Sequence, residues 1–197
     1  TLIKPKTLTT IYNPFDLNDI CKRAQVHNND IPSVPYLIHV GRLAKQKRHD
    51  ILFKALAIVG SDIKLVLLCN KPKKAIKLAE KHGVADRVIS PGFQENPYNW
   101  IKHAEALVIS SDYEGLPTVL LEAIAVNTKV VSTDCPHGPR EILTGELAAF
   151  LAPRREPEKL ARCINQALTT NVDLKTTDIL TKVSAEKIAQ QYLLLAK

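Results

Sequence analysis

From Pro35 to about Thr169, short apolar runs alternate with helix-like stretches. The runs are Tyr36–Val40, Lys64–Cys69, Arg87–Ser90, Ala106–Ser110, Lys129–Thr133 and Ala149–Ala152. Between and after them lie Lys47–Val59, Lys73–His82, Pro97–His103, Pro117–Val126, Pro139–Thr144 and Pro157–Thr169. Strands this short and apolar suit burial on both faces, and a helix between each pair supplies the crossover that parallel strands need. The pattern predicts an α/β fold, a doubly wound Rossmann-like parallel sheet.

The six runs place Gly41, Gly92, Gly115 and Gly138 at or just past strand C-termini. Ligands of open α/β sheets bind along that edge, and a missing side chain there lets a ligand approach the backbone. The most informative stretch on this edge is Ser110-Ser-Asp-Tyr-Glu-Gly-Leu-Pro-Thr-Val-Leu-Leu-Glu-Ala123. It reads as the end of a strand, a turn punctuated by Gly115 and Pro117, and a helix with Pro117 as its first residue. The unpaired N–H groups of such a helix start attract anions. Glu114 and Glu122 are poor phosphate ligands but good acceptors for sugar hydroxyls. A diphosphate at Gly115–Val119 with hydroxyl-bearing groups on either side satisfies both facts, and that describes a nucleotide sugar.

A second charged stretch, Gly41-Arg-Leu-Ala-Lys-Gln-Lys-Arg48, follows the first strand. Arg42 can grip phosphate through its fork and Lys47 can add a point charge. The bland alternative is a solvated basic loop. Phe93, just past the third strand, reads on its own as a core or hinge aromatic. His137 lies on the same edge, where a loop histidine is more often simply solvated.

Glu114-Gly-Leu-Pro-Thr-Val-Leu-Leu-Glu122 resembles the Glu-x7-Glu signature of group 1 (family 4) glycosyltransferases. These are retaining, metal-independent enzymes of the GT-B architecture, with two Rossmann-like domains. The resemblance covers Ile11 to Leu168 and implies that the chain is the second, donor-binding domain. Arg42 and Lys47 match the family pair that holds the donor diphosphate. Glu122 would bind the ribose and Glu114 the donor sugar, so Glu114, Arg42 and Lys47 would carry the chemistry. The donor contacts would come from Gly41, Phe93, Gly115, Leu116, Pro117, Thr118, Val119, Glu122, His137 and Gly138. The loop Gly92–Pro97 would face the base, and Gly138-Pro-Arg-Glu-Ile-Leu143 would line the lower donor pocket. Cys69-Asn70-Lys71 departs from the family's glycine-rich turn, as does Glu146–Ala149.

Tyr12-Asn-Pro-Phe-Asp16 matches the family segment that leads from the interdomain hinge into the second domain. The implied layout is a hinge and linker over residues 1–34, the donor-binding domain over 35–170 and a helical tail over 171–197. Thr1–Thr10 reads as polar and β-tending. Ser184–Leu195 reads as a helix capped by Ser184, and the resemblance implies that such a closing helix crosses back to the first domain. The chain opens at Thr1 and holds no Met, and is read as a piece of a longer protein. The acceptor, a glycan or lipid-linked molecule, would then meet a domain that is missing here.

Net charge is +7 in 197 residues, which favours phosphates or an anionic membrane face as partners. Aromatics are only 5% and do not interleave with the basic residues, which weighs against nucleic acid. Lys71, Lys73, Lys74, Lys77 and Lys81 read as a solvated helix face, with a weak membrane-surface patch as the alternative. Cys21, Cys69, Cys135 and Cys163 are far apart, which predicts a reduced, cytoplasmic setting and no zinc site, and the resemblance implies that no metal cofactor is used. No apolar run approaches the roughly 20 residues of a membrane span. The reading is therefore a cytoplasmic, peripherally membrane-associated hexosyltransferase of polysaccharide or lipopolysaccharide biosynthesis. It would take its sugar from a UDP-linked donor. A non-catalytic nucleotide-binding regulatory module of the same fold is the alternative.

Overall fold

A computed structural model describes residues 9–60, 62–174 and 177–195. Most of the Thr1–Thr10 segment lies outside them. Six parallel strands form one sheet in the order β3-β2-β1-β4-β5-β6. They are β1 Tyr36–Val40, β2 Lys64–Leu68, β3 Val88–Ile89, β4 Ala106–Ile109, β5 Lys129–Thr133 and β6 Leu151–Ala152. Register runs through Ile38 opposite Val66, Leu37 opposite Ala106 and Leu107 opposite Val130. The expected doubly wound Rossmann-like sheet is present. Its strand order reverses between β1 and β4, the topological switch at which a crevice opens.

The helices are α1 Leu17–Ala24, α2 His49–Ile58, α3 Pro72–Lys81, α4 Tyr98–Lys102, α5 Thr118–Ala125, α6 Pro139–Ile142, α7 Pro157–Thr169, α8 Ile179–Lys182 and α9 Ala185–Leu195. Right-handed crossovers put α2 and α3 on one face of the sheet and α4 and α5 on the other. α7 returns to pack on α2, and α1 packs on α4 and α5. The strands read as continuous apolar runs because both faces are covered. Ile38, Leu65, Val66, Leu107, Val108 and Val130 are fully buried between the helix layers. Tyr36 and Trp100 join this core, and the Tyr36 hydroxyl donates to the Trp100 carbonyl at 2.6 Å, so its polar end is satisfied.

Three boundaries differ from the sequence reading for visible reasons. The helix expected over Lys47–Val59 is broken at Arg48, which is left-handed at φ 48 and ψ 49 between a 3-10 turn, Lys45–Lys47, and α2. The strand expected over Ala149–Ala152 is paired only at Leu151 and Ala152. Gly145–Phe150 winds as 3-10 turns instead, which buries Leu147 and Phe150 three residues apart on one side. Pro117 is the residue before α5, with ψ 96, and the helix begins at Thr118.

Both ends of the described chain meet. The Phe15 amide donates to the Val183 carbonyl at 2.9 Å. Ser184 caps α9 as expected, its hydroxyl accepting the Lys187 amide at 3.4 Å. No helix among the described residues is long and apolar enough to cross a membrane.

Candidate functional site

The loops after β1 and β4 flank the switch point and are bonded to each other along their length. The Ser110 hydroxyl donates to the Lys47 carbonyl at 2.7 Å. The Asp112 amide donates to the Gln46 carbonyl at 2.9 Å, and Gln46 Nε2 donates to the Tyr113 carbonyl at 2.6 Å. These bonds bring Lys47 against Glu114, with Nζ 2.7 Å from Oε1. The Ser111 hydroxyl donates to the same oxygen at 2.6 Å. The Glu114 side chain is only 9% exposed, so the ion pair is shielded from water on most sides.

Gly41 makes room for this pair. A β-carbon there would stand 3.2 Å from His39 Nε2 and 3.5 Å from Lys47 Cε, so the lysine stem crosses bare backbone. Arg42 is exposed and makes no ion pair among the described residues.

Two adjoining cavities open at this edge and share Val40 and Pro97 as a common wall. One, of about 370 Å³, is lined by Lys47, Glu114, Leu116, Thr118, Val119 and Glu122. The other, of about 220 Å³, is lined by Gly41, Arg42, Asn70, Phe93 and Gln94. The first turn of α5 faces the larger one, and its leading amides have no intrahelical acceptor. Burial pushes the Glu122 carboxyl up from the usual carboxylate range, and a bond with Thr118 holds it partly down. Phe93 is 76% exposed at the rim of the smaller cavity, so it is no core aromatic.

The loop after β5 closes the lower side. Gly138 has φ 87 and ψ −68 and lies against Gly115. Glu141 accepts the Gly138 amide at 3.0 Å through Oε1 and the Tyr12 hydroxyl at 2.6 Å through Oε2. His137 is exposed and lines neither cavity. The structure therefore gathers Gly41, Arg42, Lys47, Phe93, Glu114, Leu116, Pro117, Thr118, Val119 and Glu122 on the cavities. Gly115 and Gly138 act as a contact between loops, and His137 stays outside.

Other residues of the site are not readable from local pattern. Ser111 bonds Glu114, and its own carbonyl is held by the Thr133 hydroxyl at 2.6 Å and the Cys135 thiol at 3.2 Å. Behind Lys47, His39 and His49 meet edge to face at 4.8 Å. His39 Nδ1 bonds the Val108 carbonyl at 2.8 Å, while both Nε2 atoms are buried without a partner. Burial, with the neighbouring His49, drives His39 far below its ordinary pKa. Burial, with the Lys47 charge, brings His49 down to about 4. Asp112 joins Arg48 and Arg155, whose partnership only the tertiary fold reveals. The Asp-x-Glu spacing of Asp112 and Glu114 was its one local signal. Among the described residues no group of three or more His, Cys, Asp or Glu side chains is arranged to hold a metal ion.

Known proteins share the sequence pattern and the fold of this chain. The N-acetylgalactosaminyltransferase of Campylobacter jejuni that acts on a diphospho-undecaprenol glycan is 34% identical over 71% of this chain and 38% of its own length. The lipopolysaccharide 1,6-galactosyltransferase of Salmonella typhimurium is 31% identical over 74% of this chain and 43% of its own. The chain thus spans about two fifths of the length of these curated relatives. The apo lipopolysaccharide outer core galactosyltransferase WaaB superposes with a TM-score of 0.74 at 23% identity, over 93% of this chain and 54% of that one. S. aureus TarM, solved in complex with UDP, superposes with a TM-score of 0.77 at 21% identity, over 98% of this chain and 40% of that one. The sequence profile described as Glycosyl transferases group 1 matches residues 23–183, and the chain belongs to that family.

Proposed function

We propose that this chain is the donor-binding half of a retaining glycosyltransferase. It would move a hexosyl group from a UDP-linked sugar to a glycan or lipid-linked acceptor in polysaccharide or lipopolysaccharide biosynthesis. The observation that carries this reading is the shielded Lys47–Glu114 pair, 2.7 Å apart, set between the open start of α5 and the half-buried Glu122.

The chemistry follows from charge. In the reaction the bond between the anomeric carbon and the diphosphate oxygen breaks, the acceptor hydroxyl oxygen forms a new bond to that carbon on the same face, and the hydroxyl proton passes to the departing diphosphate. Negative charge grows on the leaving diphosphate. Lys47 carries three N–H donors, so it can hold Glu114 and a phosphate oxygen together. Arg42 is free to add a fork, and the Thr118 and Val119 amides add neutral donors. Cations fixed in place before the reaction stabilise developing charge without reorganising, so this scheme runs without a metal. Glu114 meets the donor sugar, and Glu122, raised by burial, meets the ribose hydroxyls. Phe93 at the rim of the smaller cavity packs on the base.

Several proteins similar to this chain are named for related chemistry. The Campylobacter relative transfers to an undecaprenol-linked glycan, and the Anabaena protein HepE was solved with UDP and glucose. The acceptor side would come from outside residues 35–170, so this chain alone binds donor weakly and transfers no sugar. The exposed lysines of α3 would hold the protein loosely at the cytoplasmic membrane face.

The test is calorimetric titration of this chain with UDP, GDP and ADP, first in EDTA and then with magnesium. Metal-independent binding of one nucleotide, lost in Lys47→Ala and Glu122→Ala, is expected. Full-length protein that binds no nucleotide would overturn the reading. Nucleotide binding to full-length protein, with no sugar transfer and no effect of Glu114→Gln, would instead favour a regulatory module.

A further inference from the structure

Asp112 is the point where three loops of the ligand edge are tied. Arg48, from the loop after β1, donates through Nη1 to both Asp112 oxygens at 3.2 Å. Its Nε and Nη2 grip Asp50 at 2.9 and 2.8 Å. Arg155, from the loop after β6, donates through Nε and Nη2 to the same two Asp112 oxygens at 2.9 and 3.0 Å. Arg154 Nη1 donates to the Asp112 carbonyl at 3.0 Å, and the Asp112 amide is engaged by Gln46. Every polar atom of Asp112 is therefore spoken for, and its side chain is 14% exposed.

The backbone makes this more than a surface ion pair. Arg48 has φ 48 and Arg155 has φ 63, and both are left-handed residues with a side chain. Glycine would adopt either conformation without strain. Strained conformations persist where the surroundings over-determine them. Here two strained arginines from different loops end on one carboxylate. That carboxylate is two residues before Glu114, and Arg48 directly follows Lys47.

We propose that the Arg48–Asp112–Arg155 clasp is a positioning device for the Lys47–Glu114 pair, and that Asp112 is its positioning residue. The proposal rests on the donor-site reading above. Its three residues line neither cavity of that site. It sets the separation of the two loops that carry the pair. Misplacing a charge by a fraction of an ångström weakens transition-state contacts more than ground-state binding. The clasp should therefore act on turnover and leave donor affinity nearly intact.

Arg155→Gly separates positioning from stability. It relieves the left-handed strain while deleting an exposed guanidinium, so the melting temperature should stay within about 2 °C of wild type. In full-length protein we expect kcat to fall about tenfold with KM for the nucleotide sugar changed less than about threefold. Asp112→Asn should fall further, because both arginine forks lose a charged acceptor. A second arm needs no turnover. Amide hydrogen exchange of segments 41–48 and 110–117 should quicken about tenfold in Arg155→Gly. Unchanged kcat with unchanged exchange would overturn the proposal. So would a parallel loss of kcat and melting temperature in both variants. A wild type that transfers no sugar would count against the donor-site reading, and the exchange arm would then still decide whether the clasp sets the loops.

Discussion

Gly138 and Gly115 touch through bare backbone. A β-carbon on Gly138 would overlap the Gly115 carbonyl and stand 2.6 Å from Pro117 Cδ. The loops after β5 and β4 can close on each other only because Gly138 has no side chain, and Gly138 also holds φ 87, whereas a β-carbon on Gly115 would meet open space. Gly138→Ala must therefore move backbone at the start of α5. We expect a loss of about 2–4 kcal/mol in urea unfolding and weaker nucleotide binding. A stability within error of wild type would mean that the loop shifts freely.

Lys47 and Glu114 are interdependent. Lys47→Ala leaves a mostly buried carboxylate held by the Ser111 hydroxyl alone. The expected cost is about 1–3 kcal/mol. Glu114→Gln removes the charge from the other side and should be milder in stability. In full-length protein either change should lower kcat about a hundredfold or more. Near-normal turnover in Glu114→Gln would remove that carboxylate from the chemistry.

Phe93 offers a cleaner separation of binding from folding. At 76% exposure its truncation removes little core contact. Phe93→Ala should change stability by less than about 0.5 kcal/mol. It should weaken nucleotide binding about tenfold, the scale of one lost stacking contact. Unchanged calorimetric affinity would place the base elsewhere.

His49 links stability to pH. Its pKa falls from 6.5 in the unfolded chain to about 4 in the fold, chiefly through burial and then through Lys47, with Asp50 opposing. The neutral ring is the folded form. The stability this provides is full above 6.5 and is lost as pH falls toward about 4. The loss amounts to about 3 kcal/mol for this group, and His39 shifts in the same direction. Melting curves between those limits should show it, and His49→Gln should flatten the slope. An equal slope in wild type and variant would show that other groups carry the acid sensitivity.

Tyr12 reaches the site from the chain's first described segment. Its hydroxyl bonds Glu141, and that bond is the main reason its own pKa is raised. Glu141 in turn holds the Gly138 amide. Tyr12→Phe should cost about 0.5–1.5 kcal/mol and loosen the loop of Gly138. Faster amide exchange at Gly138 in the variant is the observation that checks it.

The sequence by itself determined the sheet and the edge where the site lies. Strands buried on both faces must be apolar throughout, so Ala106–Ile109 and its counterparts stand out without any partner in view. Gly115, Pro117 and the paired Glu114 and Glu122 are neighbours in the chain, so their common turn and helix face are written locally. Arg42 and Lys47 were visible because a parallel sheet sends every such loop to one edge. Tertiary structure decided what depends on distant residues. Arg155 meets Asp112 across 43 positions, and Arg48 leaves helical geometry because its fork is satisfied by Asp50 and by an acid 64 positions away. No periodicity encodes such a choice, since the energy that selects it exists only once the loops have come together. The same holds for β3 and β6, whose two residues each are strands only because a neighbour supplies the ladder.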